Sequence, residues 1–326
     1  MKSRLSILRR TILFTLIMGV ALLFLCTQYS FASEENDAGI ILEKIGQSSS
    51  ELPYRMIPDH SNKTYVIGDI RIKVSNRAFY YSEKAGKHFR KFLIGGGYDS
   101  VIANNDGAYF IVTNNEKELV SLYYLEFDSG KKNKVCTLKS GWTYPGMQDY
   151  WHFSHVNNNY IYFTKYSDAD GYKTYCFDIT MGKLKHKPVT GRIEDRSASH
   201  VVMLTRWHTD VSPDTLKLYE IQNNGGLRLN SNLAKYGCTA GFNGKYYYYG
   251  SYIGYGKKND YSMNRISLYR IRKDGTGKKR IKTIKEKTGK YIWIDKIKSG
   301  KCYVLSWKYK YIINLKTGKM KKKRIS

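Results

Sequence analysis

Apolar and polar residues alternate in short runs along most of this chain, and glycine-containing turns separate the runs. Residues 267–271 and 279–284 alternate in this way, and the sequence Asp-Gly-Thr-Gly at 274–277 lies between them. Glycine supplies the positive φ that hairpin turns need, while β-branched and aromatic residues suit a half-buried strand. The pattern predicts antiparallel strands joined by hairpins from about residue 65 onward.

The strand and turn pattern recurs with a period of about 46 residues, which is typical of a propeller blade of four strands. Six tyrosines at intervals of 44, 51, 44, 50 and 42 residues mark the repeat, each six or seven residues before a glycine: Tyr80, Tyr124, Tyr175, Tyr219, Tyr269 and Tyr311. The sequence therefore predicts an all-β fold, a β-propeller of six four-stranded blades. We expect residues 64–67 to pair with the last blade and close the ring, and most of the thirty tyrosines to bury their rings between blades.

The first 32 residues have the composition of a secretion signal peptide. An apolar run at 12–26 follows four basic residues, and Ser30 and Ala32 place small side chains where signal peptidase needs them. An uncleaved membrane anchor is the alternative, but the run of 15 residues falls short of the roughly 20 that a membrane span needs. The predicted organisation is a signal at 1–32, a lead-in segment at 33–63 that could include a short helix at 38–46, and the propeller at 64–326. No membrane span is expected after signal removal.

The fifth repeat carries the most specific signature. Its strand Ser-Leu-Tyr-Arg-Ile at 267–271 and its turn Asp-Gly-Thr-Gly-Lys-Lys at 274–279 resemble a blade of the tyrosine-rich propellers of exported Gram-positive proteins, which are related to the YWTD repeats of lipoprotein receptors. Repeats two, three and six match in part, and repeats one and four weakly. The resemblance implies a propeller that is secreted or associated with a Gram-positive cell surface. It implies no catalytic residue, because many bacterial members have no known function.

Positive charge is concentrated near the carboxyl end. The chain carries a net charge of +28, and residues 270–326 contain 21 Lys and Arg against 3 acids, a net of 21 − 3 = +18. Such a field attracts anionic polymers in a salt-dependent way, although lysines that protect exposed strand edges account for some of it. The predicted anion-binding residues are Lys278, Lys279, Arg280, Lys321, Lys322, Lys323 and Arg324. The expected partners are teichoic acids, anionic lipids or acidic glycans of the cell envelope; export makes nucleic acid an unexpected partner.

Two aromatic and histidine pairs are candidates for ligand-binding loops: Trp151 with His152, and Trp207 with His208. The mixture of aromatic and polar side chains is typical of sugar sites, and histidines that fill polar positions at the rim of the fold are the alternative. By strand alternation, His152 and His155 should lie on opposite faces.

No cofactor or metal site is predicted. A zinc site at His152 and His155 would lack a third ligand, and the fragment Asp168, Asp170, Gly171 lacks the glutamate of a calcium loop, because Phe177 stands at that place. The four cysteines beyond the signal are far apart in sequence, so buried free thiols are expected rather than a disulfide framework.

Three functions remain open. The first is an exported binding or scaffold module whose basic sector attracts anionic polymers or glycans. The second is a propeller hydrolase or lyase that acts on a polysaccharide or lactone, although no nucleophile elbow or paired carboxylates mark the sequence. The third is a structural protein that docks a membrane partner through the flat face of the propeller, and a protein partner at a propeller face is also possible.

Overall fold

The computed structural model is all-β in the part of the chain that it describes, and that part contains no helix. The predicted signal peptide and the lead-in helix at 38–46 lie outside the described residues. These are 54–58, 63–75, 78–83, 88–93, 100–114, 119–139, 142–144, 147–148, 150–157, 159–167, 171–185, 187–205, 214–255, 262–287 and 291–325.

The strands follow one another with short connections. In chain order they are β1 (Arg55–Ile57), β2 (Tyr65–Ile67), β3 (Ile70–Ser75), β4 (Ala78–Glu83), β5 (Arg90–Leu93), β6 (Val101–Ala103), β7 (Gly107–Asn114), β8 (Leu119–Glu126), β9 (Lys132–Lys139), β10 (Trp142–Tyr144), β11 (Met147–Gln148), β12 (Tyr150–Asn157), β13 (Tyr160–Ser167), β14 (Gly171–Asp178), β15 (Lys183–Leu184), β16 (Val189–Thr190), β17 (Arg192–Arg196), β18 (His200–Thr205), β19 (Asp214–Ile221), β20 (Leu227–Phe242), β21 (Tyr246–Tyr252), β22 (Arg265–Arg272), β23 (Lys279–Lys285), β24 (Ile292–Lys298), β25 (Lys301–Ser306), β26 (Tyr309–Asn314) and β27 (Met320–Arg324).

These strands build successive four-stranded, antiparallel, up-and-down sheets, which we call units. The first unit is β2–β5, the second β6–β9, the third β12–β15, the fourth β17–β20, the fifth β20–β23 and the sixth β24–β27. The short strands β15 and β16 both pair with β14, and β10 and β11 form a separate hairpin. Consecutive four-stranded meanders are the blades of a propeller.

The six tyrosines that mark the repeat in the sequence all lie on the third strand of their units, β4, β8, β14, β19, β22 and β26, so they occupy equivalent places in the six units. The described glycines that follow them have the positive φ expected of the turn: Gly130 (67°), Gly182 (62°), Gly225 (77°), Gly275 (82°) and Gly318 (70°).

Five hydrophobic cores join the six units in sequence. The first and second units share Phe79 and Phe110, and the second and third share Leu122 and Phe163. Further cores join the third to the fourth, the fourth to the fifth and the fifth to the sixth. Each unit therefore packs face to face on the next, as propeller blades do.

Tyrosine rings lie buried between these units, as the sequence predicted, and their hydroxyls add hydrogen bonds from one unit to the next. The hydroxyl of Tyr81 donates to the carbonyl of Phe127 at 3.2 Å, and that of Tyr162 donates to the carbonyl of Gly225 at 2.9 Å. Both rings are buried. A buried tyrosine ring thus contributes apolar contact to one interface and a hydrogen bond at its border.

The amino-terminal part of the described chain pairs differently from the prediction. Residues 65–67, expected to complete the last blade, pair instead with β3 of their own unit. Strand β1, inside the segment predicted as a lead-in, extends the second unit by pairing with β6. Among the described residues, no hydrophobic core joins the sixth unit to the first. The pairing preference follows from local connection, since a two-residue turn joins β2 to β3.

Bulged residues interrupt the first strand of four units: Ser154, Glu194, Ala240 and Asp295. A bulge adds one residue to one strand of a pair, so the side chains beyond it change face. Sequence alternation alone therefore misplaces the residues that follow each bulge.

The fourth and fifth units share strand β20. Residues 227–237 of this strand pair with β19, and residues 237–242 pair with β21. Gly237 pairs on both sides, and a Cβ at this position would lie 2.4 Å from the carbonyl oxygen of Gly250. Only glycine allows the two neighbouring backbones to approach it so closely.

Candidate functional site

The sixth unit has two different faces. Directly paired residues lie on the same face of a sheet, so the register places Cys302, Val304 and Tyr311 together on the face that is buried against the fifth unit. The opposite face carries Trp293, Tyr303 and six partly or fully exposed lysines, which we call the lysine face: Lys296, Lys298, Lys301, Lys310, Lys321 and Lys323. No buried hydrophobic cluster of the described residues includes the lysine face.

The lysine face carries regularly spaced positive charges. Adjacent strands lie about 4.8 Å apart and alternate residues on one strand about 7 Å apart, so several ammonium groups can contact one extended ligand. Among the described side chains, Asp295 is the carboxylate paired with this face, at 3.8 Å from Lys296. The Lys310 ammonium lies 5.0 Å from the centre of the Tyr303 ring. The arrangement suits a chain of neighbouring anions better than a single ion.

The predicted basic residues fall on three surfaces. Lys321 and Lys323 lie on the lysine face, whereas Lys322 pairs with Tyr311 and Arg324 with Tyr309 on the opposite face of the sheet. Lys279 and Arg280 lie on β23, the outer strand of the fifth unit, and are exposed.

Lys278 has a structural role in the described fold. Its ammonium donates to the carbonyl of Leu233 at 3.1 Å and lies 5.2 Å from the ring centre of Tyr269 and 5.6 Å from that of Tyr249. Burial lowers the pKa of this lysine. The group therefore ties the start of β23 to the part of β20 that pairs with the fourth unit.

An open cleft of about 680 Å³ lies where the end of β23 meets the turn between β25 and β26. Its lining combines four lysines, one glutamate, one serine and two aromatic residues: Lys285, Glu286, Lys287, Ser306, Trp307, Lys308, Tyr309 and Lys322. The side chain of Trp307 lies in the turn and is 72% exposed. Lys322 is the one residue of this cleft that the sequence prediction included.

Glu286 organises the cleft. Its Oε1 accepts hydrogen bonds from the hydroxyls of Ser306, at 3.1 Å, and of Tyr311, and it lies 3.8 Å from the ammonium of Lys322. The Lys322 ammonium also lies 3.6 Å from the ring centre of Tyr309, a cation–π contact. The three side-chain partners all use Oε1.

Electrostatics keep this carboxylate ionised. Burial acts to raise the pKa of Glu286, but the hydrogen bonds from Tyr311 and Ser306 and the charge of Lys322 outweigh burial and lower it. The same contact and burial raise the pKa of the Tyr311 hydroxyl, which stays protonated and acts as the donor. The cleft thus presents an anionic acceptor among cations, beside an exposed aromatic plane.

The structure corrects the ligand-loop prediction for Trp151 and His152. Both residues lie in strand β12 and not in a loop. The Trp151 side chain is buried in the core between the second and third units, with its ring centre 4.9 Å from that of Tyr175. A buried indole fills core volume and cannot offer a stacking surface to a ligand.

The bulge at Ser154 changes the predicted relation between the two histidines. His152 pairs with Thr164 and His155 with Tyr162, so both lie on the same face of the sheet and not on opposite faces. Burial, and then the charges of Arg192 and Arg196, lower the pKa of His152 to about 4 and that of His155 to about 3. Both imidazoles are neutral at physiological pH.

Trp207 and His208 lie outside the described residues, as do Asp168 and Asp170. In the part of the chain that the structure describes, no group of three or more His, Cys, Asp or Glu side chains is placed to hold a metal ion. The described cysteines, Cys136, Cys176, Cys238 and Cys302, form no disulfide; Cys302 is buried, whereas the other three, also predicted to be buried, are half-buried. No helix within the described ranges is long and apolar enough to cross a membrane.

No protein-family model matches the chain, and no curated protein matches it. Similar solved structures include a eukaryotic initiation factor, with a TM-score of 0.49 and 9% identity, covering 82% of this chain and 65% of that one. They also include the β-propeller domain of the Trilobed protease from Pyrococcus furiosus, with a TM-score of 0.39 and 13% identity, covering 85% of this chain and 84% of that one. A third is AztD from Citrobacter koseri, with a TM-score of 0.45 and 12% identity, covering 82% of this chain and 72% of that one. This chain spans about two thirds of the initiation factor. The strand order and the five hydrophobic cores define the fold of this chain.

Proposed function

We propose that this protein is an exported binding module, a six-bladed propeller whose lysine face holds anionic polymers or glycans of the cell envelope. The observation that carries the proposal is the lysine face itself, with six lysines on one side of a four-stranded sheet. The Gram-positive surface location belongs to this proposal, and so does cleavage after Ala32. Amino-terminal sequencing of the exported protein should begin at Ser33.

Charge and access both support the lysine face as the contact surface. Six ammonium groups and one paired carboxylate leave a local excess of positive charge, and each exposed ion pair with a ligand adds about 0.2–1 kcal/mol. Several such contacts acting together give useful affinity for a polymer and little for a single anion. The binding should therefore weaken steeply as salt rises.

The cleft composition favours binding over catalysis. Hydrolysis or elimination on a polysaccharide calls for an acid and a base beside the ligand. Among the described residues that line the cleft, Glu286 is the one carboxylate, and its hydroxyl and ammonium partners hold it ionised and in place. A fixed carboxylate of this kind is suited to accept hydrogen bonds from a bound ligand.

The test compares two double variants of equal charge. Lys321→Gln with Lys323→Gln removes two charges from the lysine face, and Lys183→Gln with Lys187→Gln removes two exposed charges from the third unit. Affinity for poly(glycerol phosphate) is measured by calorimetry at low and at physiological salt. We expect the first variant to lose roughly fivefold in affinity and to show a weaker salt dependence, with the second close to the unmodified protein. Equal losses in both variants, or no binding at low salt, would overturn the proposal.

A further inference from the structure

The first unit, like the sixth, has one sheet face that belongs to none of the five hydrophobic cores. Its other face packs against the second unit through Ile72, Phe79 and Tyr81. Successive side chains of a strand point to opposite faces of a sheet. The residues that alternate with these three therefore lie on the outer face of the first unit, as the lysine face is the outer face of the sixth.

The outer face of the first unit is also basic. Its cations are Arg71, Lys73 and Lys91, which we call the first-unit basic face. Register pairs Arg71 with Ser82. It places Tyr80 between Lys73 and Lys91. Lys91 is exposed, and its ammonium lies 6.0 Å from the centre of the Tyr80 ring. None of these paired positions holds a carboxylate.

The junction between the sixth and the first unit differs from the other junctions between units. Apolar side chains seal each of the five successive junctions, whereas the described residues of the sixth and first units share neither a hydrophobic core nor a sheet. A ring of blades turns the outer faces of its first and last members toward each other. Like charges therefore oppose each other at the place where this ring would close.

Salt screens this repulsion only in part. Sheets that pack face to face lie about 10 Å apart, and the Debye length at physiological ionic strength is about 8 Å. A closed junction would also exclude water, which strengthens the repulsion. An anionic chain between the two faces reverses the sign of the interaction, because each of its charges attracts the cations on both sides.

We infer that one chain of the anionic polymer lies between the sixth and first units, held on one side by the lysine face and on the other by the first-unit basic face. The inference rests on the proposed function, from which it takes the six-bladed ring and the polymer ligand, and it adds a second contact surface. An extended polymer fits better than a single anion, because alternate residues of a strand lie about 7 Å apart and the cations are spread along several strands. The polymer then closes the ring where no core does.

Calorimetry tests whether one polymer uses both faces. Lys73→Gln with Lys91→Gln removes two charges from the first-unit basic face, and Lys183→Gln with Lys187→Gln is the matched control on the third unit. The probe is a poly(glycerol phosphate) oligomer of defined length. We expect one oligomer per protein and a roughly fivefold loss of affinity in the first-unit variant, with the control close to the unmodified protein. Thermal unfolding midpoints verify that both variants are folded.

Hydrogen exchange of the unmodified protein gives a second readout that needs no substitution. With the oligomer bound, amides of β3 and β4 in the first unit should exchange more slowly, and so should those of β25 and β26 in the sixth. Amides of β13 and β14, in the third unit, should change little.

The outcomes separate this inference from the proposed function. A first-unit variant that binds like the control, or protection confined to β25 and β26, would overturn the bridged polymer and leave the lysine face as the binding surface. Two oligomers bound per protein would also overturn it, because the two faces would then be separate sites. A loss in the first-unit variant without any loss in Lys321→Gln with Lys323→Gln would overturn both the bridge and the lysine face.

Discussion

The hydroxyl of Tyr311 donates a hydrogen bond to Oε1 of Glu286, although 25 residues separate the two in sequence. The contact joins the end of β23, in the fifth unit, to β26, in the sixth. The same carboxylate lines the cleft, so one side chain contributes both to the packing of two units and to the candidate site. Its replacement should therefore change the stability of the protein.

Glu286→Gln is expected to lower the free energy of unfolding by about 1–2 kcal/mol, because charge-assisted bonds to Ser306 and Tyr311 become weaker neutral ones. Urea unfolding followed by circular dichroism measures the change. Tyr311→Phe removes the donor alone and should cost a similar amount.

The double variant decides whether these two losses share one cause. If the bond between Tyr311 and Glu286 dominates, Glu286→Gln combined with Tyr311→Phe should cost clearly less than the sum of the single changes. Strictly additive losses would show that the two side chains stabilise the protein independently.

The stability of the protein should fall in mild acid because of two histidines of the third unit, His152 and the buried His155. An unfolded histidine has a pKa of about 6.5, whereas burial and nearby arginines lower the folded values to about 4 for His152 and about 3 for His155. Below pH 6.5 the unfolded chain binds protons that the folded chain does not, so the free energy of unfolding decreases as pH falls toward 4. Each histidine can lower the free energy of unfolding by at most about 1.4 kcal/mol per pH unit.

Urea unfolding at pH 7, 6, 5 and 4 measures this dependence. His155→Gln should flatten it by up to half, and His88→Gln is the matched control because His88 is exposed. A pH dependence that His155→Gln leaves unaltered would contradict the assignment of a buried neutral imidazole.

Trp151 should matter for stability and not for ligand binding. Trp151→Ala is expected to cost about 3–5 kcal/mol, as large-to-small changes in a core do. Trp151→Phe should cost less, since the buried Nε1 of Trp151 has no hydrogen-bond partner in the described structure, and phenylalanine removes that unsatisfied donor. Poly(glycerol phosphate) affinity of Trp151→Phe should equal that of the unmodified protein. Weaker binding with an intact fold would restore Trp151 as a ligand residue.

The thiol of Cys302 should be inert in the folded protein. It is buried in the core between the fifth and sixth units, and burial raises its pKa, which suppresses the reactive thiolate. A thiol reagent such as dithionitrobenzoate should leave it unmodified until urea unfolds the chain, when all four described cysteines react. A mass that shows a disulfide in the purified protein would contradict the free-thiol assignment.

Much of the fold could be predicted from the sequence because the signals were local. A third-strand tyrosine followed by a glycine of positive φ, such as Tyr269 and Gly275, requires only a few residues to be recognised. The pairing of β1 with β6 could not be predicted, because the paired residues Ile57 and Val101 lie 101 − 57 = 44 positions apart in the sequence. The bulge at Ser154 was equally hidden, because no residue type marks a bulge uniquely.

Of the candidate site, the sequence predicted only the positive charge. Composition identified the basic carboxyl-terminal region, but the division of Lys321 and Lys322 between two faces depends on strand register. The cleft depends on a contact between Glu286 and Tyr311 across two units. Neither the strand register nor this contact can be recognised from a single stretch of sequence. The sequence also does not distinguish the exposed Trp307 from a buried tryptophan.

Strand β20 joins the fourth and fifth units into one continuous sheet, which we call the β20 block. Among the described residues, these two are the units that share a strand, an unbroken ribbon of backbone that passes through Gly237. Tension on one unit is transmitted along this ribbon to the other, so the pair should open in a single cooperative event. In native-state hydrogen exchange, amides of β19 and β21 would then share one free energy of opening and form one foldon. Any bending of the propeller on engaging a polymer would be confined to the junctions on either side of this block.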